Sequence, residues 1–209
     1  IIPYKRQDMT KLILLLFSMT LFSCGQKGAG ETAAPITEVK KASTTTAPSF
    51  NADSAYAYVE KQVSFGYRVP NTPAHKACGD YLVSELKRFG AQVYEQEATL
   101  KAYDGTPLES RNIIGSFNPD KDKRILLFAH WDTRPYSDHD PDPANHKKPL
   151  DGADDGASGV GALLEIARQM GMKAPEVGVD IIFFDAEDYG TPEFAKDRYN
   201  DTSDTWCLG

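Results

Sequence analysis

The hydrophobic pattern of the chain is densest in two runs, one unbroken and one almost so. In "RILLFAHWD", Ile125 to Ala129 are consecutive apolar residues that lead straight into His130, Trp131 and Asp132. A continuous run, unlike an alternating one, predicts a strand covered on both faces. A second run, "VGVDIIFFD" over 177–185, ends in Ala186-Glu187-Asp188. Between them, Val160, Leu163, Leu164, Ala167 and Met170 recur at helical spacing. Strand, helix and strand make a βαβ unit, right-handed by the general rule. Both strand ends and the helix start then share one sheet edge, where ligand sites of open α/β sheets lie. His130, Asp132, Asp155, Glu187 and Asp188 are therefore expected to converge.

Upstream, Asn51 or Ser54 can cap a helix carrying Ala55, Val59 and Val63 that ends near Gly66. Pro70 and Pro73 mark a loop. From Ala74 a second helix aligns Cys78, Leu82, Leu86 and Phe89, with Gly90 as its stop. Cys78 thus reads as a small core residue. Residues 92–100 and 111–117 read as two strands around a turn at Asp104-Gly105. Pro135 to Pro149 is a long polar loop; His139 and His146 lie in it among Asp138, Asp140 and Asp142, a cluster that reads as solvated surface rather than a cation site. In "DGADDGASGVG", over 151–161, the glycines keep the helix start thin, and either Asp154 or Asp155 could simply cap it.

Composition changes this picture mainly at the N-terminus. A 209-residue chain of net charge −7 with three cysteines is long enough for one domain with a core, and its acidity argues against nucleic acid. Residues 1–8 precede Met9, the expected start, and read as upstream sequence. Residues 9–24 carry one Lys, an apolar run and a small residue before Cys24, the layout of a signal segment. Leu21-Phe22-Ser23-Cys24 resembles a bacterial lipobox, with Phe22 bulkier than usual, which implies acylation at Cys24. Residues 25–48 are rich in Thr, Ala and Gly and read as a tether. The domain is expected over 49–209, exported and held in the bacterial envelope through the lipid anchor only. An exported setting permits a Cys78–Cys207 bridge, which spacing does not establish. Trp206 reads as a core indole, with a substrate wall as the lesser alternative.

Five His and acid side chains in one crevice must share protons or be neutralised by a cation. Imidazole and carboxylate donors without thiolate suit Zn²⁺. Adjacent acids at 187 and 188 point in different directions, so one can ligate while the other handles protons. Asp132, two residues after His130, is expected to orient its ring.

"FAHWDT", "DGADDGASG" and "IIFFDAED" resemble the successive motifs of M28-type zinc aminopeptidases and of the related animal-type glutaminyl cyclases. "RNIIGSFNPDKDKR" resembles the cyclase branch in particular. The resemblance implies an α/β three-layer sandwich with a mixed, largely parallel central sheet, zinc-exopeptidase-like and incomplete at the C-terminus. It makes Asp155 and Asp188 zinc ligands (Asp188 where the family often has Glu) and Glu187 the general base and acid. His130 becomes a ligand only if a second metal binds, one zinc being implied for a cyclase and two for an aminopeptidase. The implied activity is zinc-dependent glutaminyl-peptide cyclotransfer on peptide or protein N-termini, converting N-terminal Gln to pyroglutamate with release of ammonia. An M28-type aminopeptidase is the alternative, and a non-catalytic lipid-anchored binding protein a further one. The family pattern also calls for a downstream Asp and His beyond Gly209, so a protein of these residues alone is expected to bind zinc weakly and to be close to inactive.

Overall fold

The computed structural model describes residues 48–195. The first helix, α1 (Ala52–Val63), starts where Asn51 accepts the Ser54 amide, as its capping chemistry predicts. The second, α2 (Pro73–Arg88), starts at Thr72 with Pro at its first position. Four strands follow: β1 (Gln92–Lys101), β2 (Pro107–Phe117), β3 (Arg124–His130) and β4 (Gly178–Phe184), with α3 (Ala157–Met172) between the last two. The second strand begins four residues before the expected Arg111. A single 3-10 turn at Pro143–Asn145 punctuates the long loop.

The sheet is mixed, in the order β1-β2-β4-β3. The β1–β2 and β2–β4 pairings are antiparallel and β3–β4 is parallel. One pairing of the three is parallel, so the described part of the sheet is less parallel than expected. The predicted βαβ unit is present as β3-α3-β4. Its two strands run in register to Ala129↔Phe183 and His130↔Phe184, and the Trp131 amide still donates to the Phe184 carbonyl at 2.9 Å. Both strands therefore end at the same level.

The core lies on one face of this sheet. Cys78, Leu82 and Leu86 of α2 meet Ile113 and Phe117 of β2, Val160 and Leu164 of α3, and Ile181 and Phe183 of β4. Burial pushes the Cys78 thiol up to about 12, consistent with a packing role; Cys207 and Trp206 lie outside the described residues. Helix α1 packs on α3. The approach is close: a Cβ at Gly161 would sit 2.8 Å from the Ala55 carbonyl. Gln62, fully buried, ties the two helices further by donating to the Ala157 carbonyl at 3.1 Å.

One expectation changes here. The run Ile125 to Ala129 is not covered on both faces among the described residues: Leu126 and Phe128 are 52% and 64% exposed. The reason is that the core, with the helices that pack on the sheet, lies on the opposite face among the described residues. Leu127 and Ala129 face the core, and Phe128 packs edge-on against Phe184 on the other side.

Glu165 is a buried charge that stabilises α3. It accepts from Arg168 at 2.6 and 2.8 Å, from Gln169 at 2.7 Å and from the Asn51 amide at 3.1 Å. The Arg168 bonds, against some burial, and then Gln169 and Asn51 hold its pKa down to about 2. A depressed carboxyl contributes stability above its unfolded pKa, about 4.3, and loses that contribution as pH falls through about 2. Glu165→Gln should therefore cost about 1–2 kcal/mol near neutral pH, in urea unfolding. The gap to wild type should close in acid, and a gap independent of pH would contradict this account.

Candidate active site

The level ends of β3 and β4 bring most of the expected residues together. His130, the last residue of β3, places Nε2 2.9 Å from Asp155 Oδ1. Its Nδ1 lies 3.5 Å from Asp132 and 3.8 Å from Glu187. Those distances suit charge pairing, yet Nδ1 is buried and makes no hydrogen bond. Glu187 and Asp155 are open to solvent, whereas Asp188 is largely enclosed.

Asp155 reaches His130 because the loop before α3 is unusually tight. Gly156 holds φ at +89°, and a Cβ there would sit 3.1 Å from both the Asp132 carbonyl and His130 Cε1. Gly156 also occupies the cap position of α3 with no side-chain cap bond, so neither Asp154 nor Asp155 performs the capping role that either could have filled. Asp155 is turned toward β3 instead.

Asp132 is fully buried, and its two oxygens accept the Glu187 amide at 3.2 Å and the Asp188 amide at 3.1 Å. It faces His130 as expected, but it bonds to the turn after β4 and not to the ring. That turn needs holding, because Ala186 sits at φ +62°. This left-handed conformation costs a non-glycine residue roughly 1–2 kcal/mol.

Three arginine- or histidine-centred supports were not foreseen. Arg68, fully buried, donates to the carbonyls of Trp131, Asp151 and Gly152, tying the loop that leads to Asp155 to the end of β3. Arg134 forks onto Asp138 at 2.8 and 2.7 Å and donates to the Asp188 carbonyl at 3.3 Å. Asp138 is thus a buried anchor, which corrects its reading as solvated surface; it also accepts the Glu193 amide at 2.7 Å. His139 is exposed and His146 bonds the Asp140 carbonyl at 2.8 Å. His75 contacts Asp185, at the foot of the turn, at 2.8 Å. Apart from the Arg134–Asp138 fork, four residues apart, these contacts join positions far apart in sequence, so no local spacing marks them.

The electrostatics describe an anionic crowd. Burial, then the charges of Asp132 and Asp155, raise Asp188 to about 7 against the pull of Arg134 and His130. Burial disfavours the His130 imidazolium, but Asp132, Asp155 and Glu187 outweigh it and lift the ring to about 9. The site thus has an excess of negative charge and an orphaned imidazole nitrogen. Its donors are nitrogen and oxygen, the kind that zinc accepts. They fit zinc in type and charge, although among the described residues no three His, Cys, Asp or Glu side chains converge on one ion position. A cleft of about 670 Å³ opens elsewhere, beside Asp80, Glu95 and Arg111; those charges already pair with one another, and none of the converging acids lines it.

Residues 112–206, which span β2 to β4 and all the converging acids, match the model of peptidase family M28. The chain is similar to a zinc-dependent exopeptidase from Parabacteroides distasonis, 77% identical with a TM-score of 0.75, over 78% of this chain and 55% of that one. It is similar to Tannerella forsythia glutaminyl cyclase, 67% identical with a TM-score of 0.74, over the same shares. It also resembles an uncharacterized Escherichia coli protein, YfbL, 30% identical over 57% of this chain and 33% of that protein. The chain spans about half the length of the solved relatives and a third of the curated one.

Asp132→Asn puts an amide NH₂ against a backbone N–H and removes charge from two hydrogen bonds. A loss of about 2–3 kcal/mol in urea unfolding is expected. A change under about 0.5 kcal/mol, typical of surface substitutions, would show that the turn does not depend on this carboxylate.

Proposed function

We propose that this domain serves a zinc-dependent glutaminyl-peptide cyclotransferase, which closes an N-terminal Gln into pyroglutamate. The observation that carries the reading is the juxtaposition of His130, Asp155, Glu187 and Asp188 at one sheet edge, in a chain with such high identity to glutaminyl cyclases. Asp155 and Asp188 would hold zinc, with His130 joining them only if a second ion binds. When bound, zinc supplies Lewis-acid polarisation of the substrate carbonyl and positive charge against the carboxylates.

The chain's own residues do the rest. Glu187, half exposed and with its backbone N–H donating a hydrogen bond to Asp132, is free to reach a substrate proton. It would take a proton from the α-amine as that nitrogen bonds to the γ-carbonyl carbon of the same Gln. It would then return the proton to the departing nitrogen, which leaves as ammonia. Asp132 and Arg134 keep the Glu187-Asp188 backbone in place while the proton moves.

The solved exopeptidase relative favours a second reading on the same residues. Glu187 would then take a proton from a water whose oxygen bonds to the first peptide carbonyl carbon, and return it to the amine nitrogen that departs as the C–N bond breaks. A non-catalytic binder would not need that carboxylate at all. We further propose export and membrane attachment through acylated Cys24, which lies outside the described residues. Among those described, no helix is long and apolar enough to cross a membrane.

Release of ammonia from a Gln-initiated peptide is the expected outcome, and release of a free amino acid would select the peptidase. Glu187→Gln should lower turnover by about 10²–10⁴-fold with zinc content unchanged, on general acid–base grounds. Unaltered turnover in that variant would remove Glu187 from the chemistry.

A further inference from the structure

The turn carrying Glu187 and Asp188 is held from two sides. Asp132 grips it from the end of β3, as described. The other grip comes from Asp185, the residue just after β4, which is fully buried. Its Oδ1 accepts the Ala186 amide at 2.8 Å and its Oδ2 accepts the Arg111 amide at 2.7 Å. His75 Nε2 lies 2.8 Å from both of these oxygens. The imidazole is itself fixed, stacked on Trp131 with centroids 4.3 Å apart and planes 15° from parallel. Trp131 in turn donates its indole N–H to the Arg111 carbonyl and its amide to the Phe184 carbonyl. One His–Asp pair thus links the first turn of α2 with the middle of β2 and the ends of β3 and β4.

We propose that His75 is a positioning residue for the site: through Asp185 it fixes the turn from Ala186 to Asp188 and so sets where the two acids stand. This rests on the reading of Asp188 as a zinc ligand and Glu187 as the proton carrier, but only in part, because the turn itself can be observed without metal. A buried carboxylate is held in one orientation only while its acceptors are satisfied. Asp185 without its imidazole partner keeps only two backbone donors and is free to swing toward other ones. Ala186, in its left-handed conformation, then loses the constraint that keeps it there. Residues that orient a ligand from behind typically change metal affinity by about 10–100-fold when removed.

The test uses the full chain and three substitutions. His75→Phe keeps an aromatic ring for the Trp131 stack and removes the donor. His75→Gln restores a donor at similar reach. Leu82→Ala, in the same helix, weakens the core without touching Asp185. In the metal-free protein well below its melting temperature, amide hydrogen exchange at Glu187 and Asp188 should quicken about tenfold or more in His75→Phe. It should stay near wild type in His75→Gln, relative to each variant's core amides. Leu82→Ala should speed core and turn amides together. With zinc, chelator competition should show about a 10–100-fold weaker affinity in His75→Phe, largely rescued in His75→Gln. Unchanged exchange at 187 and 188 in His75→Phe would overturn the proposal, as would an equal selective change in Leu82→Ala. Wild-type protein that binds no zinc would count against the metal reading alone, with the exchange data still deciding the role of His75.

Discussion

Much of this site hangs on one carboxylate that is fully buried. Asp132 gives its oxygens to the Glu187 and Asp188 amides and presents its charge to His130. It can do so because β3 and β4 are parallel neighbours that end at the same register position. The residue two beyond one strand end then lies beside the turn that leaves the other. A hydrogen bond to a buried carboxylate is among the stronger ones available, which suits a turn that includes a left-handed alanine. Fold and site are thus joined through backbone amides more than through side chains.

The parts of this arrangement that depend on chain-local pattern were legible in the sequence. Apolar runs that stop at His130 and at Asp185 mark strand ends, and the periodic residues from Val160 mark the helix between them. Together they place the acids on one edge. Two readings failed for one shared reason, that burial and pairing are decided by neighbours in space. The run over 125–129 looks doubly covered, yet among the described residues the core and its helices lie on the opposite face and leave Phe128 exposed. Asp138 looks like loop surface, yet Arg134 and the Glu193 amide enclose it.

The supports for the acids were not legible at all. His75 and Asp185 are 110 positions apart, and Arg68 reaches carbonyls more than 60 positions away. No spacing rule relates such residues. What the sequence did show was a loop marked by Pro70 and Pro73 between two helices. In the fold Arg68 of that loop and His75 in the first turn of α2 lie behind the site, so a stretch without chemistry of its own braces the chemistry elsewhere.

The choice of partners for Arg68 has a further consequence. Its guanidinium is surrounded by peptide carbonyls, and although burial lowers its pKa from the ordinary value, carbonyl oxygens do not titrate at all. The contact between His130 and Asp155 is the opposite kind, a pairing whose strength follows protonation. The loop that delivers Asp155 is therefore anchored at its root by bonds indifferent to acidity and free at its tip to respond to it. Protons, or an ion that replaces them, can be exchanged at the tip while the loop beneath keeps its path.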